Sequence, residues 1–105
     1  MLRINLEFRR GVLFVRLKGS LNDKESLDNI NSLIREIGFR YIVFNVNKLK
    51  CIDIEGINCI LNYNELLLNN NGKLLLCEDE SVISDRIFKN KIPNISSEIQ
   101  AFDLI

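Results

Sequence analysis

The chain has 105 residues, 47% of them hydrophobic, which suits one domain over residues 1–105 whose core needs neither disulfides nor metal. Fourteen basic residues offset fourteen acidic ones, so no net field draws the chain to nucleic acid or to an anionic membrane surface. The longest apolar runs fall far short of the roughly 20 residues of a spanning helix, and the alternating N-terminus is unlike a signal core; both argue against direct membrane insertion and point to the cytoplasm.

Near the start, Ile4, Leu6 and Phe8 alternate with Asn5 and Glu7. After Arg9-Arg10-Gly11, residues 12–17 are rich in β-formers, so the two runs read as a hairpin. From Asp23 the period lengthens. Leu27, Ile30, Ile34 and Ile37 share one face of a helix, with Asn22 or Asp23 as N-cap and Gly38 as its stop. Residues 41–46 are apolar without clean alternation, as expected of a central strand covered on both faces.

A second helix is expected after Asp53, where Ile57, Ile60, Leu61, Leu67 and Leu68 recur at helical spacing. Asn69-Asn70-Asn71-Gly72 reads as its stop, with Gly72 in the left-handed position. Residues 73–77 return as a strand and residues 82–89 as a short helix. Pro93 opens a brief extended piece, and Ile99, Phe102 and Leu104 define a terminal amphipathic helix capped by Ser96 or Ser97. The order predicts an α/β fold, a mixed sheet of four to five strands with packed amphipathic helices.

The residues available for chemistry are few. There is no histidine, so a Ser-His or Cys-His nucleophile pair is impossible. Cys51, Cys59 and Cys77 are odd in number and lack C-x-x-C spacing, so they read as buried thiols and not as a disulfide framework or zinc site. No metal, no cofactor and no enzymatic turnover are expected.

Val12 to Asn22, a run of β-formers ending in Gly19-Ser20-Leu21-Asn22, resembles the second strand of the STAS family and the loop after it. Ile42 to Val46, followed by Leu49, Ile52 and Asp53-Ile54-Glu55-Gly56-Ile57-Asn58, resembles the family's central strand and the Asp-Ser-Ser-Gly-Leu-Gly signature that opens its second helix. The next strand and helix follow in order, and the similarity runs from about residue 4 to residue 104. The family includes the bacterial anti-sigma factor antagonists. The resemblance implies a protein partner, an anti-sigma factor that is also a serine kinase, and a switch in which phosphorylation of the first signature Ser ends binding.

This sequence departs from that pattern. Ile54 stands where the phosphorylated Ser would be, Glu55 replaces the second Ser, Asn58 the second Gly, and Asn22 the Asp of the loop. The chain has no threonine, and its seven serines lie outside the signature. The expected contact surface is Asn22, Asp23, Asp53, Ile54, Glu55, Gly56, Ile57 and Asn58. Plainer roles stand beside it: Asp53 as a helix N-cap, Glu55 as a first-turn charge favoured by the helix dipole, and Gly56 as a point of close packing. The alternatives are a non-switching STAS subunit of a membrane transport complex or of a larger signalling assembly.

Overall fold

In a computed structural model, residues 2–21, 28–29, 31–32, 39–79, 86, 88 and 91–105 are described. Most of the expected helix between Asp23 and Gly38, and of that over residues 82–89, lies outside them, as do Asn22 and Asp23.

The hairpin forms as its alternation predicts. β1 (Arg3–Arg9) pairs antiparallel with β2 (Val12–Leu21), and Arg9 faces Val12 across the two-residue turn Arg10-Gly11. Both turn residues have positive φ, 51° and 81°, the condition for a turn whose twist matches that of the strands. Gly11 meets it freely, and the Arg10 guanidinium lies over the Phe102 ring at 5.3 Å.

β3 (Tyr41–Ile52) runs parallel to both β2 and β4 (Lys73–Cys77), and β5 (Asn94–Ile95) adds to the far side of β4. The five-stranded sheet has the order β1-β2-β3-β4-β5. The centre has no polar alternation because both faces are covered. Leu13, Val15, Leu17, Ile42, Phe44, Leu74 and Leu76 pack with Ile60 and Leu67 of the long helix (Ile54–Asn69) on one side. Val12, Phe14, Val43, Leu75 and Cys77 pack with Ala101 and Phe102 of the terminal helix (Ala101–Leu104) on the other.

Four expectations are corrected. β2 and β3 run on to Leu21 and Ile52, beyond the ends expected at residues 17 and 46. Their polar ends pair with each other through register shifts, so backbone bonding carries the strands past the apolar signal. The left-handed residue after the long helix is Asn71 (φ 60°), not Gly72. The Asn71 N–H donates to the Leu68 carbonyl at 3.4 Å and that of Gly72 to the Leu67 carbonyl at 2.7 Å, the pair of bonds that closes a helix end. Gly72 is required for space, since a Cβ there would stand 2.1 Å from the Arg40 carbonyl oxygen.

At the C-terminus, a 3-10 turn (Glu98–Gln100) with Ser97 as N-cap precedes the terminal helix and shifts its phase. Ala101 and Phe102 face inward while Ile99 and Leu104 are exposed, contrary to the expected apolar face. Among the thiols, Cys77 is buried and Cys59 half-buried, but Cys51 is exposed near the end of β3.

Candidate functional site

β3 ends at Ile52 and the long helix begins at Ile54, so one residue, Asp53, makes the corner. Its extended backbone (φ −101°, ψ −177°) leaves its side chain free to cap, and Oδ1 accepts the Gly56 N–H at 2.9 Å. The Asp53 N–H donates to the Leu21 carbonyl at 3.3 Å, which ties the corner to the end of β2. Gly56 is buried. A Cβ there would stand 2.5 Å from the Leu21 carbonyl oxygen and 2.9 Å from Ile52 Cγ1, so only glycine lets the first helical turn rest on β2.

The expected contact residues therefore divide by what holds them. Asp53 and Gly56 build the corner. Ile57 is half-buried against the helix-side core. Ile54, Glu55 and Asn58 project outward, and Ile54 is 71% exposed. Asn22 and Asp23 follow directly on Leu21, whose carbonyl belongs to this corner, but are themselves outside the described residues.

Glu55 and Asn58 also border a groove of about 490 Å³ on the flank of the long helix, with Cys59, Tyr63, Leu66 and Asn31. The Tyr63 hydroxyl donates to Asn31 Oδ1. Burial pushes the Cys59 thiol up to about 11, so at neutral pH it is protonated and a poor nucleophile or ligand. Among the described residues no three Cys, Asp or Glu side chains gather closely enough to hold a metal ion, and no helix is long and apolar enough to cross a membrane.

Two features on the opposite sheet face went unread. Arg16 donates to Glu98 by two bonds, at 2.7 and 2.9 Å, and also to Glu7 and Asn5, while Asn45 Nδ2 donates to Glu98 Oε2 at 2.8 Å. The signal was the single charge inside the apolar run of β2, on the face of Val12 and Phe14. Beyond it lies a row of like charges: Arg3 is opposite Lys18, and Lys18 is opposite Lys48. The register that makes this row came from a shift in β3 that no residue pattern announced.

No protein-family model matches the chain. The structure is similar to the anti-sigma factor antagonist SpoIIAA in its unphosphorylated form, with TM-score 0.78, 22% identity, and 97% of this chain and 96% of that one covered. It is also similar to the phosphorylated form from Bacillus (TM-score 0.75, 21% identity, 97% and 98% covered). An anti-sigma factor antagonist from Mycobacterium paratuberculosis gives TM-score 0.80 at 13% identity, covering 100% and 94%. At these identities the likeness establishes the fold. A sequence relative goes further: the anti-sigma F factor antagonist of Paenibacillus polymyxa is 32% identical over 81 residues, covering 73% of this chain and 68% of the relative. The chain belongs to the STAS-domain family of anti-sigma factor antagonists.

Proposed function

We propose that the chain is a regulatory protein-binding module that captures an anti-sigma factor through the start of the long helix, and that it lacks the usual phosphorylation switch. Ile54, Glu55 and Asn58 form the contact, Ile57 supports it, and Asp53 and Gly56 fix its position. Asn22 and Asp23, which follow Leu21 in the sequence, extend it. The module works by occupancy of a surface and not by turnover.

The observation that carries this reading is Ile54. A branched apolar side chain is 71% exposed on a helix end whose backbone is pinned by a cap, a strand contact and a buried glycine. Nothing in the helix asks for isoleucine there, since first turns favour acidic residues. Covering it with a partner removes apolar surface from water at little conformational cost, because the backbone is already ordered.

The test is Ile54→Asp, titrated by calorimetry against the anti-sigma factor of the same cell. The side chain is exposed and the helix dipole favours a carboxylate there, so the variant should keep wild-type unfolding behaviour. Affinity should fall more than about tenfold, or about 1.4 kcal/mol, because the new charge is desolvated in the complex. Unchanged affinity in the folded variant places the interface elsewhere.

A further inference from the structure

Among the described residues β1 is an edge strand, with β2 as its one neighbour in the sheet. Its faces are unlike: Ile4 and Leu6 are half-buried against the core and Phe8 is 61% exposed, whereas Arg3, Asn5, Glu7 and Arg9 lie on the other face. The closing pair of a two-residue hairpin, here Arg9 and Val12, is a hydrogen-bonded pair. The backbone groups of residues 3, 5, 7 and 9 therefore turn toward β2. Those of residues 4, 6 and 8 turn outward and are open to another strand.

We propose that this edge pairs with a second copy of the chain, antiparallel, about a two-fold axis at Asn5. In that register Ile4 faces Leu6 of the second copy and Phe8 faces Leu2, so the outward backbone groups meet in hydrogen-bonding positions. The half-covered apolar row of one copy continues into that of the other. On the opposite face Arg3 meets Glu7 of the second copy, and the symmetry makes this contact twice.

Charge favours this register: an axis at Ile4 would set Arg3 against Asn5 and form no ion pair, and the registers on the other side bring like charges together. An axis at Leu6 sets Arg3 against Arg9 of the second copy, and an axis at Glu7 sets two Glu7 side chains together. Arg3 also has reason to seek a carboxylate: among the described residues it enters no ion pair, and its cross-strand neighbour is Lys18. Glu7, held by Arg9 at 3.4 Å and Arg16 at 2.8 Å, is fixed on the face where Arg3 would meet it. The pairing is independent of the proposed anti-sigma contact, which lies on another element and stays open in each copy.

Strand-edge contacts are small, well below the roughly 1,200 to 2,000 Å² of stable complexes, so association should depend on concentration. Sedimentation equilibrium of the full chain from about 10 µM to about 1 mM is the experiment, as this range brackets weak association. A monomer–dimer equilibrium is expected. Arg3→Glu, which alters one exposed side chain, should weaken it at least tenfold, and Glu7→Arg should do the same. An equimolar mixture of the two variants should dimerise again, because both cross-copy contacts regain opposite charges. Circular dichroism checks the fold; if Glu7→Arg does not fold, Arg3→Glu alone decides. A monomer throughout, a dimer indifferent to Arg3→Glu, or folded variants that fail to recombine would overturn the proposal.

Discussion

Arg16 of β2 and Glu98 of the C-terminal 3-10 turn, 82 positions apart, are joined by two hydrogen bonds, Nη2 to Oε1 at 2.7 Å and Nε to Oε2 at 2.9 Å. A guanidinium gripping both oxygens of a carboxylate fixes orientation as well as distance. This contact and the packing of Ala101 hold the last residues across the sheet face opposite the long helix.

Replacing Glu98 with Gln keeps the shape and removes the charge. Stability in urea should fall by about 0.5–1.5 kcal/mol, the net worth of a typical hydrogen bond, since Arg16 is part-exposed and keeps Glu7 and Asn5 as acceptors. The pH dependence gives a second check. Hydrogen bonds from Arg16, opposed by burial and aided by Asn45, hold the Glu98 carboxyl below the usual carboxylate range. A depressed folded pKa gives stability that is complete above the unfolded value, about 4.3 for glutamate, and is lost as pH falls through the folded value. The gap between wild type and Glu98→Gln should be constant from about pH 6 to 8 and close on acidification below about pH 4. A gap that widens on acidification contradicts the assignment.

Asp53→Ala and Gly56→Ala test the corner in different ways. The first removes a cap and should cost about 0.5–2 kcal/mol. The second inserts a Cβ 2.5 Å from a backbone oxygen that cannot swing aside, and overpacking of that kind costs about 1–3 kcal/mol. Hydrogen exchange separates them further. Gly56→Ala should push the helix from β2 and expose the Asp53 amide, whose acceptor is the Leu21 carbonyl. Unchanged protection of that amide would mean the first turn does not rest on β2.

Much of the fold was legible because it is local. The alternation of Ile4, Leu6 and Phe8, the break at Arg9-Arg10-Gly11 and the start of the long helix after Asp53 each follow from a few neighbouring side chains. The polar ends of β2 and β3 were not legible, since Lys18 to Ser20 and Lys48 to Cys51 become strand through pairing across the sheet, Lys18 with both Arg3 and Lys48. Gly72 was recognised as special for the wrong reason: its missing Cβ makes room for the Arg40 carbonyl, a neighbour 32 positions away in sequence. For the candidate site, Ile54 to Asn58 are singled out by the signature they resemble, whereas the exposure of Ile54 on which the proposal rests belongs to the folded corner alone.

The row Arg3, Lys18, Lys48 sets like charges directly opposite one another across three strands. Such pairs are destabilising, and exchanging one for an opposite charge is worth about 0.2–1 kcal/mol per contact. Lys18→Glu should therefore raise the unfolding midpoint, and the gain should shrink in about 1 M salt, where the screening length is about 3 Å. A variant no more stable than wild type at low salt would show that these side chains splay apart in solution.

The last prediction concerns regulation. Two readings of the altered signature compete: Glu55 as a permanent imitation of phosphate, which would abolish binding, or loss of the hydroxyl at Ile54 leaving a module always competent to bind. A carboxylate carries one charge and two oxygens against nearly two charges and three oxygens. One step along a helix also turns the side chain by about 100°, and here that step points Glu55 toward the flank groove with Asn58 and Cys59 while Ile54 faces outward. Glu55 therefore differs from a phosphate at position 54 in both strength and direction, which favours the competent state, with activity set by abundance. Incubation with the family's serine kinase and ATP should leave residues 51–58 unmodified by mass spectrometry, and competition with the sigma factor should be the same with and without ATP turnover. Phosphate on Ser20, half-buried on β2 opposite Cys51, together with loss of binding, would show that the switch has moved along the sheet and that constitutive competence is wrong.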